Sequence, residues 1–260
     1  MGHRLAFLVL GVALVAAGTV RLAAQPTAPA PAASVATADL AAIMQRYTAA
    51  VGGKELLAKI TTQVSVFSFT LLNHTMIVTT TTKAPNYYLQ VVAPESGGGA
   101  LVSGFDGKLA WMQDASGVVH LLSGQRRAEL ITDAVGANNS EIFPERWPTV
   151  VSLKPAETID GKPYYVVAIA PKGGVSHDMI LDPQTFQPIM DRTVEQNATL
   201  TSTVDAFGAG PLGELYPKSL TTTRSDGFPT ITTTLRSVKD NVPVANSLFA
   251  PPASQGTETI

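Results

Sequence analysis

The chain has 260 residues, 45% of them hydrophobic and only 15% charged, with a formal net charge of −2 and no cysteine. That length suits one large domain or two small ones, with enough apolar residues for a sizeable core. The absence of Cys excludes thiolate catalysis, disulfides and Cys-ligated zinc, and the lack of a basic block argues against nucleic acid as a partner.

At the N-terminus His3 and Arg4 precede an apolar run, Leu5 to Ala17. The run has the size of a signal-peptide core and is shorter than the ~20 residues that a membrane-spanning helix needs. Small residues follow to Leu22-Ala23-Ala24-Gln25. Residues 1–24 are therefore expected to be an export signal cleaved near Ala24, with the periplasm as destination and no membrane span after its removal; Arg21, close after the run, leaves an uncleaved N-terminal anchor as the alternative. No Cys stands near the cleavage site, so anchoring as a lipoprotein is excluded. Residues 25–38 read as a Pro/Ala linker, residues 39–252 as the folded domain and residues 253–260 as a tail.

The domain opens with "DLAAIMQRYTAAVGG", where Asp39 can cap a helix and Leu40, Ile43, Met44, Tyr47 and Val51 fall on one face. A short second helical piece, "KELLAKI", ends at Ile60. From Thr61 the chain becomes rich in Thr, Val, Phe, Tyr and Ile in short runs broken by Gly, Pro, Asn and Asp. Strands are expected near 62–72, 75–83, 86–93, 99–105, 108–114 and 117–122. After a helix over Gln125–Ala134 and an irregular loop, "NNSEIFPERWP", more are expected near 149–158, 163–171, 176–182, 187–195, 198–207, 217–225 and 229–239. Asn73-His74, Asp106-Gly107 and Asp160-Gly161 mark tight turns. There is no βαβ alternation. The pattern predicts a mainly β fold, an antiparallel barrel or large curved sheet of eleven or more strands.

Some strands must be covered on both faces. "ATLTSTVDAF" alternates apolar and polar, as a half-wet strand does, whereas "VSVFSFTLL", "YYLQVVA" and "YYVVAIA" are apolar on both. Motifs for chemistry are sparse. The histidines, His3, His74, His120 and His177, show no ligand spacing, and His177-Asp178 point to opposite faces of a strand. No Gly-x-Ser-x-Gly elbow occurs, and "PESGGGALVSG" lacks the Lys of a phosphate-binding loop. Glu129, Glu141, Glu145 and Glu195 could act as acids, but no spacing pairs them. Arg126-Arg127 reads as a solvated helix face. No catalytic residue, metal site or cofactor is expected.

"AAVGGKELLAKI", "FDGKLAWMQD", "MILDPQTFQPI" and the closing "NVPVANSLFAPP" together resemble the LolA-like outer-membrane lipoprotein-sorting family, and most of all its uncharacterised bacterial relatives, over Ala38 to Pro252. The resemblance implies an incomplete antiparallel barrel of about eleven strands, with two or three helices covering its open side and an apolar cavity for acyl chains. It implies a periplasmic carrier or chaperone whose partners are lipids or lipoprotein acyl chains. Phe67, Phe69, Ile77, Tyr87, Leu89, Leu109 and Trp111 are the residues expected to line the cavity. Longer loops around Pro94–Gly99 and Ala137–Pro148 set the chain apart from the carriers, and no position matches their functional Arg. Two other readings stay open: an envelope scaffold that binds a protein partner and has no cavity, and a hydrolase with a spatially assembled site.

Overall fold

The computed structural model describes residues 39–195, 198–253 and 257–259. The expected export signal and linker lie outside the described residues. Helix α1 spans Leu40–Ala50, and the Asp39 carboxylate accepts a hydrogen bond from the Ala41 N–H at 3.1 Å, capping the first turn. Gly52, at φ 127°, ends the turn that follows and leads into α2, Lys54–Ala58. The third helix, α3, runs Gly124–Ala137, longer than its apolar periodicity suggests. No helix among the described residues is long and apolar enough to cross a membrane.

The strands are β1 Thr62–Leu71, β2 His74–Lys83, β3 Tyr87–Pro94, β4 Leu101–Phe105, β5 Ala110–Gln113, β6 Val119–Leu121, β7 Thr149–Ile159, β8 Lys162–Pro171, β9 His177–Leu181, β10 Pro188–Glu195, β11 Ala198–Ala209, β12 Leu215–Arg224, β13 Ile231–Asp240 and β14 Thr257–Thr259. They form one open sheet in the order β14-β6-β5-β4-β3-β2-β1-β13-β12-β11-β10-β9-β8-β7. Two antiparallel meanders, β1–β6 and β7–β13, are joined by the β1–β13 ladder. The expected incomplete barrel with helices is present, with fourteen strands among the described residues, thirteen of them at the segments expected from the sequence. The fourteenth comes from the expected tail: β14 lies parallel to β6 at the sheet edge.

Turn chemistry explains the hairpins. Asp160-Gly161, at φ 50° and 77°, makes the two-residue turn between Ile159 and Lys162. The β1–β2 turn sits one residue earlier than its sequence suggests, on Leu72-Asn73, both at positive φ, with Leu72 80% exposed. Asp106-Gly107 begins a longer turn, in which the Asp106 carboxylate accepts from the Lys108 and Leu109 N–H groups at 2.9 and 2.7 Å.

Residues directly opposite one another in an antiparallel ladder share a face, so the registers trace each face across the sheet. From Tyr88 one face runs through Thr82 and Gln63 of β2 and β1, Asp240 of β13 and, lower down, Phe67, Leu235, Thr233, Leu220, Val204, Ser202, Asp191, Met179 and Val167. All three helices pack on this inner face. Leu130, Ile131, Ala134 and Val135 of α3 cover Tyr88, Phe105 and Ala110. Ile43, Tyr47, Val51 and Leu57 of α1 and α2 cover Val167, Ile169, Met179 and Leu181.

The loop that the sequence leaves irregular belongs to the core. Ile142 and Phe143 join the α1–α2 cluster, and Glu141 accepts a hydrogen bond from the Tyr47 hydroxyl at 3.0 Å. Asn138 donates to the carbonyls of Tyr87 and Ala134, at 3.1 and 2.8 Å. This loop closes the space between α3 and β7. The Arg146 guanidinium lies 4.0 Å above the Phe143 ring and seals its outer side.

The opposite, outer face is open to solvent over much of its area but covered near β3–β6. After β13 the chain crosses it as a strap. Thr62 and Lys83 donate to the carbonyls of Val242 and Val244 at 2.6 and 2.7 Å, and Phe249 seals a cluster with Leu89, Trp111 and Val119. The Trp111 indole donates to the Phe249 carbonyl at 2.9 Å, and Tyr87 packs on the Phe249 ring at 5.3 Å. A Cβ at Gly104, directly opposite Trp111, would overlap the indole, so only glycine admits the ring there. Phe249→Ala is expected to destabilise the fold by about 3–5 kcal/mol and to red-shift Trp111 emission. Denaturant titration followed by fluorescence in a Trp147→Phe background checks both.

Candidate ligand-binding face

Strand parity divides the residues expected to line a cavity. Phe67 and Phe69 lie on the inner face, buried with Val78, Val92, Tyr216, Leu220 and Ile231. Ile77, Leu89 and Trp111 fall on the outer face, where the strap covers Leu89 and Trp111 and Tyr87 packs at their side. Leu109 lies in the β4–β5 turn, 42% exposed. The set is not gathered on one surface, because a shift of one residue along a strand moves a side chain to the opposite face. Apolar character alone cannot tell a strand covered by a helix from one covered by a strap.

The inner face has three zones. Helices α1 and α2 cover β8 and β9, and α3 covers β3–β5. Between them lies a cluster whose buried members all come from strands: Phe67, Phe69, Val78, Val92, Tyr216, Leu220 and Ile231. Leu71, Met76, Val204, Phe228 and Leu235 extend it and stay partly exposed. Leu71 and Met76 flank the β1–β2 turn and Phe228 sits in the β12–β13 turn, so the exposed part lies at the end of the sheet away from α1 and α2.

Polar side chains stud the same face. His177 and Asp191, both buried, meet at 2.5 Å between Nδ1 and Oδ2. The partner of His177 is thus across the β9–β10 ladder, while its neighbour Asp178 points outward to Lys154, 2.6 Å away. The hydroxyls of Ser202 and Thr222 are 2.9 Å apart. Near α1, Gln63 donates to Asp240 at 2.6 Å. Burial, reinforced by the nearby Glu214 charge, raises the Asp240 carboxyl to about 6.

At the opposite end stands Glu195, 6% exposed, with Arg224 of β12 at 3.6 Å. Burial first, and then the charge of Glu129 on α3, raise Glu195 to about 7 against the opposing pull of Arg224. Burial raises Glu129 as well. These two carboxyls are far apart in sequence. The fold lays α3 over the hairpin end of the sheet, where the Thr132 hydroxyl accepts from the Val175 N–H at 2.7 Å. Glu129 precedes Thr132 by three residues and so shares its side of the helix.

Glu195 and Asp240 hold protons more tightly folded than unfolded. From the ordinary carboxylate range up to 6–7 these two groups bind more protons in the native state, so their contribution to stability is fully present at acid pH and is lost as pH rises through these values. Glu195→Gln removes one of the two ionisations. The variant should match the wild type to within about 1 kcal/mol near pH 5 and exceed it by about 2–3 kcal/mol near pH 8, as read from urea midpoints at each pH.

No family profile and no curated protein sequence matches the chain. Solved structures do match in fold. A LolA superfamily protein from Nitrosomonas europaea aligns at TM-score 0.57 and 16% identity, covering 82% of this chain and 98% of its own. A putative outer membrane lipoprotein-sorting protein domain from Vibrio parahaemolyticus aligns at 0.53 and 12%, covering 80% and 94%. A DUF1329 family protein from Desulfovibrio piger aligns at 0.52 and 12%, covering 80% and 97%. The half-barrel sheet with helices on its inner face is a LolA-like fold.

Proposed function

We propose that the chain is an exported carrier or chaperone that holds the apolar part of a lipid or other amphiphile against the inner face, between β1–β3 and β11–β13. The observation that carries this reading is the central apolar cluster. Every buried member is a strand residue, and its outlying members keep part of their surface exposed, Leu71, Met76 and Phe228 at the turn end of the sheet and Val204, Leu235 and Val238 along the strands. The helix-covered zones on either side are finished cores, whereas this one continues to an apolar edge. The signal-like residues 1–24 support export, and the LolA-like fold supports a carrier.

Affinity would come from methylenes withdrawn from water, about 0.8 kcal/mol each. Within a series of alkyl amphiphiles, each added methylene is therefore expected to tighten binding roughly four-fold until the apolar surface is filled. Leu71→Glu and Met76→Glu, at the partly exposed edge, should weaken binding of a fluorescent fatty-acid analogue roughly ten-fold or more, since a charge there must be desolvated. Leu72→Glu, at the exposed turn tip, should leave it unchanged. Fluorescence titration of the three variants, with native mass spectrometry of freshly purified protein, tests the reading. It fails if the analogue does not bind or if all three variants bind like the wild type.

A further inference from the structure

The open sheet treats its two edges differently. At β6 the chain's own β14 lies along the edge. At β7, the terminal strand on the other side, the ladder runs to β8 alone. The Lys172 N–H donates to the Pro148 carbonyl at 2.9 Å, so the bonded pairs of this ladder fall on Pro148, Val150, Ser152 and Lys154. Pro171, which has no N–H, stands opposite Thr149, as that phase requires. The backbone groups of Thr149, Val151 and Leu153 therefore point away from β8, and among the described residues they meet no backbone partner. Protein sheets guard such edges with proline, charge and bulges. The far half of β7 has these guards in Pro155, Glu157 and the register shift between Lys154 and Glu157. The near half, residues 149–153, has none, and its Val150 is 69% exposed.

Set antiparallel to itself about a two-fold axis at Val151, this run is its own complement. Val151 faces Val151 of the second copy, Thr149 faces Leu153, and each outward donor finds an outward acceptor. On the outer face Val150 lands opposite Ser152. The one charge beside the run, Lys154, falls opposite Pro148 and far from its own copy, and its ammonium is held by Asp178, so no like charges meet. Pro155 ends the pairing on both copies. On the inner face Val151 and Leu153 belong, with Leu40 and Met44, to the partly exposed margin of the α1–α2 core. Across the axis they pack on Val151 and Thr149 of the second copy. We propose that the edge at residues 149–153 is a self-association surface, which joins two copies of this chain into one continuous sheet. A seam this short lies below the size of a standard interface, so association is weak and concentration-dependent. The inference is independent of the carrier reading, because β7 stands four strands from β11 in the sheet order and leaves the central cluster uncovered.

The test is sedimentation equilibrium of the full chain across the micromolar range. The wild type is expected to pass from monomer to dimer as concentration rises. Val151→Pro removes an N–H that the β7–β8 ladder does not use, and should abolish the dimer. Val150 and Ser152 are exposed and face each other across the axis, so they test the register without touching the core. The Val150→Glu Ser152→Glu variant opposes like charges twice and should weaken the dimer roughly ten-fold or more, whereas Val150→Glu Ser152→Lys should restore it. Urea midpoints of all three variants check the fold, and if Val151→Pro lowers its midpoint the two charge variants decide. A wild type that stays monomeric overturns the second copy as occupant. A dimer that survives the Glu–Glu variant, or one that the Glu–Lys variant does not restore, overturns the seam.

Discussion

The two-residue period of the β-strand governs this molecule. Fourteen strands in one sheet share a single inner and a single outer face, and every ladder passes the assignment to the next. Where the register shifts, at Val66/Phe67 in the β1–β13 ladder, at Val204/Ala206 and Ala206/Phe207 in the β11–β12 ladder and at Pro188/Met190 in the β9–β10 ladder, the inner wall stays continuous from Tyr88 to Val167. The three helices then have one surface on which to bury their apolar stripes. They cover its flanks and leave the central strands to pack on one another.

That inner wall is not uniformly apolar. His177 with Asp191, Ser202 with Thr222 and Gln63 with Asp240 each place a matched polar pair among aliphatic neighbours, which meets the requirement that buried polar groups find partners. Glu195 is paired with Arg224 at 3.6 Å, and the same guanidinium also holds Asp226.

The strands and helices are legible in the sequence because β-branched runs alternate with Asn, Asp and Gly turns of defined chemistry and because Asp39 announces a helix. Ile43, Tyr47 and Val51 occupy the buried stripe that their spacing implies. What covers each strand face is not legible. Trp111 and Leu89 are as apolar as Phe67 and Phe69, yet the first pair meets the C-terminal strap and the second the interior, a difference decided by residues more than a hundred positions away. The same limit hides the buried loop from Asn138 to Phe143. In that loop Asn, Ser and Glu side chains read as solvent-facing until Tyr87, Ala134, Tyr47 and Thr149 are found to bond them.

The seam between β1 and β13 bears on how such a chain can be made. Residues 62–71 find their second neighbour only in residues 231–240, so the two meanders cannot close into one wall until nearly the whole polypeptide is available. Pairings that distant in sequence form slowly. Until β13 is available, the β1–β6 meander carries β1 as an unpaired edge.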